Sequence, residues 1–250
     1  MGKFVWHALM TTDVASSRRF YTELFGWNVE EVDMGPMGKY TLLKTEGKTV
    51  GGLMPMDAKH GAPTHWMSYV SVDNCDAAVK RATSNGGKVV VPAMDIPNVG
   101  RFAIIADPQG GHISPFQPNP SSNDGAPPVG TPGAFSWDEL HSPDPDAATK
   151  FYKELFGWGM KVDGEKEFAY YHFMDGTEAR GGMIKRMAQE PVTYWLSYIN
   201  AADVDQSTER AKKLGAQVYM PPMDVEDVGR MSVLADNAGA TFALFKASRK

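Results

Sequence analysis

Between residues 4 and 54 the spacing of apolar positions changes period twice. Residues 4–10 alternate as a strand does. From Asp13 the period lengthens. Phe20, Tyr21 and Leu24 fall on one face of a helix that Asp13 caps and Gly26 ends in the left-handed conformation. Alternation returns over 27–32, 39–45 and 49–54, which predicts three more strands. The same order follows again: a strand over 65–72, a helix over 75–85 capped by Asp73 and stopped by Gly86, then strands over 88–91, 101–106 and 112–116. The turn Asp107-Pro108-Gln109-Gly110 joins the last two as a hairpin. The unit is therefore βαβββ. Its helix covers one face of the sheet, and the other face is free to curve into a cup.

The whole pattern then restarts. FYTELFGW at 20–27 returns as FYKELFGW at 151–158, and VGR at 99–101 returns at 228–230. The tryptophans pair at similar offsets: Trp6 with Trp137, Trp27 with Trp158, Trp66 with Trp195. A repeat of about 130 residues is the size of a domain, not of a solenoid unit. Between the copies, PNPSSNDGAPPVGTPG at 118–133 has no hydrophobic period and reads as a linker. The expected organisation is domain 1 at 1–117, the linker, and domain 2 at 134–250, each long enough to bury a core. Duplication also sorts residues. One kept in both copies serves the fold; a polar residue present in one copy only is a candidate for function.

Composition narrows the partners. The net charge is −5 and the basic residues form no large cluster, which argues against nucleic acid. No apolar stretch approaches the roughly 20 residues that span a bilayer, and MGKFVWHALM lacks the layout of a signal peptide. With one cysteine, Cys75, no intrachain disulfide can form, and a cytoplasmic location is expected. Cys75 reads as a small buried side chain, since the second copy has Val204 there.

The βαβββ unit, the FYxxLFGW helix ending and the DPxG hairpin together resemble the vicinal oxygen chelate superfamily. That superfamily includes glyoxalase I, extradiol dioxygenases, fosfomycin-modifying enzymes and bleomycin resistance proteins. The likeness is greatest to its two-domain bacterial glyoxalase-like or "hydroxylase" members, and it covers almost the whole chain outside the linker. It implies an α+β fold of four βαβββ modules, forming two tandem glyoxalase-like domains. Each would be a partly open eight-stranded barrel with helices outside. Fusion of two copies makes an internal pseudo-dimer, so a monomer would suffice.

The resemblance also implies metal ligands on the first and last strands of each half, usually His, His or Gln, and Glu. Such a set suits iron, manganese, zinc or nickel acting as a Lewis acid. Carried over, the first-strand position falls on His7, with Asp138 as its mate. The strand opening the second half offers His65, with Tyr194 as its mate. The last strand offers Ser114, with Ala243 as its mate. The position that is acidic in glyoxalase I lies in Gly51-Gly52-Leu53 and Gly181-Gly182-Met183. The acidic ligand is thus missing from both copies. His112 lies two residues before Ser114 and is aimed by alternation into the same cup. His7, His65 and His112 are therefore the candidate site for a divalent metal; the alternative is that they line a polar pocket without one.

Met67, Tyr69, Tyr194, Leu196 and Tyr198 follow the alternation of His65 and, with Ser114 and Asp138, supply a pocket wall. Met and aromatic rings suit a flat, largely apolar small molecule with a few polar handles. His141 and His172 also lack histidine mates, and Met10 stands opposite His141. The expectation here sets Asp138 and His141 on one face as an acid/base or rim pair, with Glu139 on the other. Asp95 and Arg101 recur as Asp224 and Arg230, which favours a structural role. Two functions remain open. One is a glyoxalase- or dioxygenase-like enzyme that binds or converts a carbonyl-bearing or aromatic molecule in the domain 1 cup. The other is a metal-free, drug-sequestering binding protein.

Overall fold

The computed structural model describes residues 2–35, 38–57, 62–120, 127–165, 168–188 and 190–248. The first repeat runs β1 (Phe4–Thr11), α1 (Val14–Phe25), β2 (Asn28–Asp33), β3 (Lys39–Thr45), β4 (Lys48–Pro55), β5 (His65–Ser71), α2 (Cys75–Ser84), β6 (Lys88–Ile96), β7 (Gly100–Ala106) and β8 (His112–Pro118). The second runs β9 (Phe135–Ser142), α3 (Pro145–Phe156), β10 (Gly159–Asp163), β11 (Tyr170–Asp175), β12 (Glu178–Lys185), β13 (Tyr194–Asn200), α4 (Val204–Lys213), β14 (Gln217–Val225), β15 (Gly229–Ala235) and β16 (Thr241–Ala247). Each repeat supplies one eight-stranded sheet. The strand orders are β2-β3-β4-β1-β5-β8-β7-β6 and β10-β11-β12-β9-β13-β16-β15-β14. The expected α+β architecture, with open eight-stranded sheets, is thus present.

Local signals explain most boundaries. Asp13 caps α1 by accepting from Ser16 N–H, Asp144 caps α3 by accepting from Ala147 N–H, and Gly26 and Gly157 end those helices in the left-handed region. The cap of α2 is Asn74, which accepts from Ala77 N–H, and not Asp73. Asn is as good an Ncap as Asp. β6 extends past the expected 88–91 to Ile96 and includes Pro92. It lies at a sheet edge, where a missing N–H costs no ladder bond. The middle of the linker, 121–126, lies outside the described residues.

The chain packs into two compact units, and they do not follow the 1–117 and 134–250 division. Unit 1 is Met1–Trp6, Met67–Asn123 and Trp137–Leu196; unit 2 is His7–Trp66, Asp124–Ser136 and Ser197–Lys250. Each unit takes half of each repeat, and the duplicated aromatics show why. In unit 1 Trp195 Nε1 donates to Tyr152 Oη (3.1 Å), and Tyr152 Oη donates to the buried Asp107 Oδ2 (2.9 Å). Asp107 belongs to the first repeat's hairpin, and its Oδ1 accepts from Gln109 and Gly111 N–H. Trp158 Nε1 donates to Gly2 O (2.9 Å), just ahead of β1. In unit 2 Trp66 donates to Tyr21 (2.9 Å), and Trp27 donates to Gly133 O (3.0 Å), just ahead of β9. The motif kept in both copies therefore fastens one repeat to the other. The match is incomplete in one place. Asp236 Oδ2, the counterpart of the Asp107 oxygen bound by Tyr152, is buried and makes no hydrogen bond of ordinary geometry among the described residues, although the Tyr21 hydroxyl acts on that carboxyl. Burial pushes both hairpin carboxyls, Asp107 and Asp236, above the usual carboxylate range.

Unit 1 is centred on Leu140, Phe151, Tyr152, Phe173, Met183 and Trp195, which pack α3 against β9, β11, β12 and β13. Strand alternation turns the neighbouring residues of β9 and β11 to the opposite face.

Candidate functional site

That opposite face of β9 carries Trp137, Glu139 and His141. β11 adds Tyr170 and His172, and the segment between β12 and β13 adds Glu190. His141 is the hub. Its Nδ1 lies 2.6 Å from Glu190 Oε1 and its Nε2 lies 3.1 Å from Glu139 Oε1. Carboxylates only accept, so both ring nitrogens carry protons and the ring is an imidazolium. Burial works against that charge, but the hydrogen bonds His141 donates to Glu139 and Glu190 outweigh it and hold His141 at about 9. Burial likewise opposes the Glu190 charge, and the contact with His141 overcomes it, leaving Glu190 below its ordinary value.

Other donors complete the cluster. Tyr194 Oη donates to Glu190 Oε1 (2.7 Å), and its ring lies 4.5 Å from the His141 ring. Met187 N–H donates to Glu190 Oε2 (2.8 Å), and the Arg186 guanidinium donates to the Glu190 carbonyl. Trp137 Nε1 donates to Tyr170 Oη (2.8 Å). Burial, then the Glu139 charge, raise the Tyr170 hydroxyl far above its usual value. Gly182 makes room for this ring, because a Cβ there would overlap Tyr170 Oη and sit 2.9 Å from Trp137 Nε1. The side chains of Glu139 and His141 are 8% and 7% exposed; Trp137, Tyr170, His172 and Tyr194 are half-buried. The result is a row of alternating charge, buried at Glu139 and His141 and half-buried at Glu190, beside partly open aromatic rings.

Several sequence expectations change. Asp138 shares a face with Leu140, not with His141, because positions three apart on a strand point oppositely. Its carboxylate accepts from Ser68 Oγ (2.6 Å). Glu139, expected on the far face, is the partner of His141. His7 is buried on the side of Leu9 and stacks on Phe135 at 3.8 Å, whereas His65 precedes the core residue Trp66 and so turns the other way. His65 Nδ1 lies 2.8 Å from Pro63 O, and burial lowers its pKa. His112 is exposed at the start of β8. Ser114 Oγ donates to Ala103 O (2.7 Å). Met67 and Tyr69 are buried, and Tyr69 packs on Phe102 and Phe116. Tyr198 is buried beside Phe245 in unit 2. Cys75 is buried, as expected, and burial pushes its thiol up to about 11. Arg101 pairs with Asp76 and Asp95, and Arg230 with Asp205 and Asp224.

The metal set implied by the family resemblance is not assembled. Among the described residues no group of three or more His, Cys, Asp or Glu side chains is placed to hold a metal ion. His141 does not fit as a ligand, since both nitrogens that could offer a lone pair are protonated and bound. Sequence comparison of the copies could have found this site. Glu139 and His141 replace Ala8 and Met10, and ladder register matches His172 to Leu42 through Gly182 and Gly52. Glu190 carried no such signal, because it lies outside any periodic segment.

Comparison with known proteins agrees with the architecture. A family model described as Glyoxalase/Bleomycin resistance protein/Dioxygenase superfamily matches residues 3–113 and 137–244. The chain is 34% identical over 247 residues to CFP32 of Mycobacterium tuberculosis (strain CDC 1551 / Oshkosh), which bears a glyoxylase name; the match covers 96% of this chain and 93% of the relative. It is 31% identical over 264 residues to the anthracycline biosynthesis protein DauV of Streptomyces sp. (strain C5), covering 97% and 92%. In fold it resembles the Mn(II)-bound glyoxalase from Novosphingobium aromaticivorans, with TM-score 0.65, 17% identity, and coverage of 98% of this chain and 81% of that one. It also resembles 2,2',3-trihydroxybiphenyl 1,2-dioxygenase from Sphingomonas wittichii strain RW1, with TM-score 0.66, 14% identity, and coverage of 98% and 90%. With the family match running through both repeats and relatives aligned along nearly their full length, this chain belongs to the Glyoxalase/Bleomycin resistance protein/Dioxygenase superfamily.

Proposed function

We propose that the protein binds a small, flat, carbonyl-bearing aromatic molecule without a metal ion, on the open face of β9, β11 and β12. The observation that carries this reading is the Glu139–His141–Glu190 cluster. A buried carboxylate, a half-buried one and a buried imidazolium are costly to desolvate. The first repeat, which builds the same strands, has Ala8 and Met10 at the matching positions and keeps its fold without such charges. A charged cluster that the fold does not require points to use. Half-buried Trp137, Tyr170 and Tyr194 offer aromatic surface beside it, which suits a planar ligand. The similarity to a protein named for anthracycline biosynthesis supports this class, since anthracyclines are fused aromatic rings bearing carbonyl and hydroxyl groups.

The test uses chelator-treated protein and 9,10-anthraquinone, followed by tryptophan fluorescence. Wild type is expected to bind saturably, with no change on adding divalent metal. A variant that restores the first-repeat residues, Glu139→Ala with His141→Met, together with Glu190→Gln, should bind at least about tenfold more weakly. Equal affinity in that variant, or binding that appears only with metal, would refute the proposal.

A further inference from the structure

The same face holds a second titratable group, outside the cluster. His172 on β11 has Nε2 at 3.1 Å from Asp163 Oδ2 on β10, and Lys161 Nζ lies 3.0 Å from that same oxygen. Lys161 stands opposite His172 in the ladder, and Asp163 stands opposite Tyr170. The Asp163 carboxyl is held below its usual range, chiefly by the hydrogen bond from Lys161, so it stays an acceptor. A charged acceptor at Nε2 places the proton of a neutral imidazole there and leaves the Nδ1 lone pair free. No described residue takes that Nδ1. The His172 side chain is 26% exposed, so a small molecule and water can reach it. Its ring meets Tyr170 edge-on at 4.8 Å, and Trp137 lies beyond at 6.4 Å. A planar ligand lying against Tyr170 and Trp137 therefore brings its edge to His172. The first repeat has Leu42 at the matching register position, so the fold does not need a histidine there.

Resting on the binding proposal above, we infer that His172 is the proton acceptor for an enolic or phenolic hydroxyl on the ligand, with Asp163 as its positioning residue. The ligand O–H bond breaks and an Nδ1–H bond forms. The ligand is held as its oxyanion against an imidazolium, whose charge Asp163 balances through Nε2. No electrons are transferred. On release the proton returns to the oxyanion or passes to water at the exposed edge of the ring. The site thus selects hydroxylated aromatic ligands over their O-methylated forms.

The experiment compares 1,4-dihydroxyanthraquinone with 1,4-dimethoxyanthraquinone, binding each to full-length protein. Tryptophan quenching reads affinity, and the visible spectrum reads phenol ionisation across a pH series. The titratable groups facing His172 in that series are Lys161 and Asp163 on β10, Tyr170 on β11 and, beyond Tyr170, Glu139 on β9. Wild type should prefer the dihydroxy compound by about tenfold and lower its apparent phenol pKa on binding by at least about three units, so that the bound phenol is ionised near neutral pH. His172→Gln should bind both compounds alike and lose the spectral shift. Asp163→Asn should weaken the shift, and Asp163→Glu should restore part of it. If His172→Gln keeps both the preference and the shift, the inference fails and the binding proposal stands. If neither compound binds wild type, both fail. If both bind wild type but the Glu139/His141/Glu190 variant binds them equally well, the proposed site is wrong and the inference falls with it.

Discussion

Replacing His141 by Gln gives the sharpest test of the buried cluster, because the effect has a sign fixed by pH. In the folded protein His141 is held at about 9, against 6.5 for an ordinary histidine. That displacement corresponds to about 3 kcal/mol of stabilisation when the ring is charged in both states. The contribution is complete below pH 6.5, declines as the pH rises towards about 9 and is absent above it. Glu190 behaves in the opposite sense. Its lowered pKa adds stability above the ordinary Glu range, and this is lost as the pH falls. The cluster is therefore strongest in mildly acidic solution, between the two windows. His141→Gln keeps a polar side chain of similar length but cannot carry the charge. Urea unfolding followed by circular dichroism should show a gap between wild type and variant that is widest near pH 6 and narrows by about 3 kcal/mol by about pH 9.5. NMR of the ring nitrogens should show both protonated at neutral pH. A gap that stays constant across this range, or a His141 midpoint at or below 6.5, would refute the arrangement.

Two further outcomes follow from the packing. Tyr152→Phe strands Asp107 Oδ2 and Trp195 Nε1 in the core of unit 1 and should cost about 1–3 kcal/mol in thermal unfolding. Tyr21→Phe in unit 2 should cost less, since the Tyr21 contact with Asp236 falls short of the 2.9 Å bond from Tyr152 to Asp107; equal losses would contradict the difference between the units. Gly182→Ala places a methyl where Tyr170 Oη lies. It should displace that ring, change tryptophan fluorescence through Trp137 and destabilise by about 1–3 kcal/mol. An unchanged spectrum and melting temperature would show that the ring is not so confined.

The sequence by itself determined the modules. Periodicity, Asp13, Gly26 and Gly157 marked helices to within a residue or two, and the paired tryptophans announced the duplication. These are local signals, set by residues within a few turns of one another. Comparison of the copies also exposed the unpaired His141 and His172, the two histidines of the site. The compact units were beyond reach, because the bonds that define them join Tyr152 to Asp107 and Trp158 to Gly2. No periodicity reports a partner so distant in sequence. The different settings of the candidate histidines have a related reason. His7 and His65 lie on the strands that open the two halves, but one side chain packs inward against Phe135 and the other turns away. A displacement of one residue reverses a strand's faces. Only the tertiary structure decided which face was covered by a helix, and so which polar residues were left to meet a ligand.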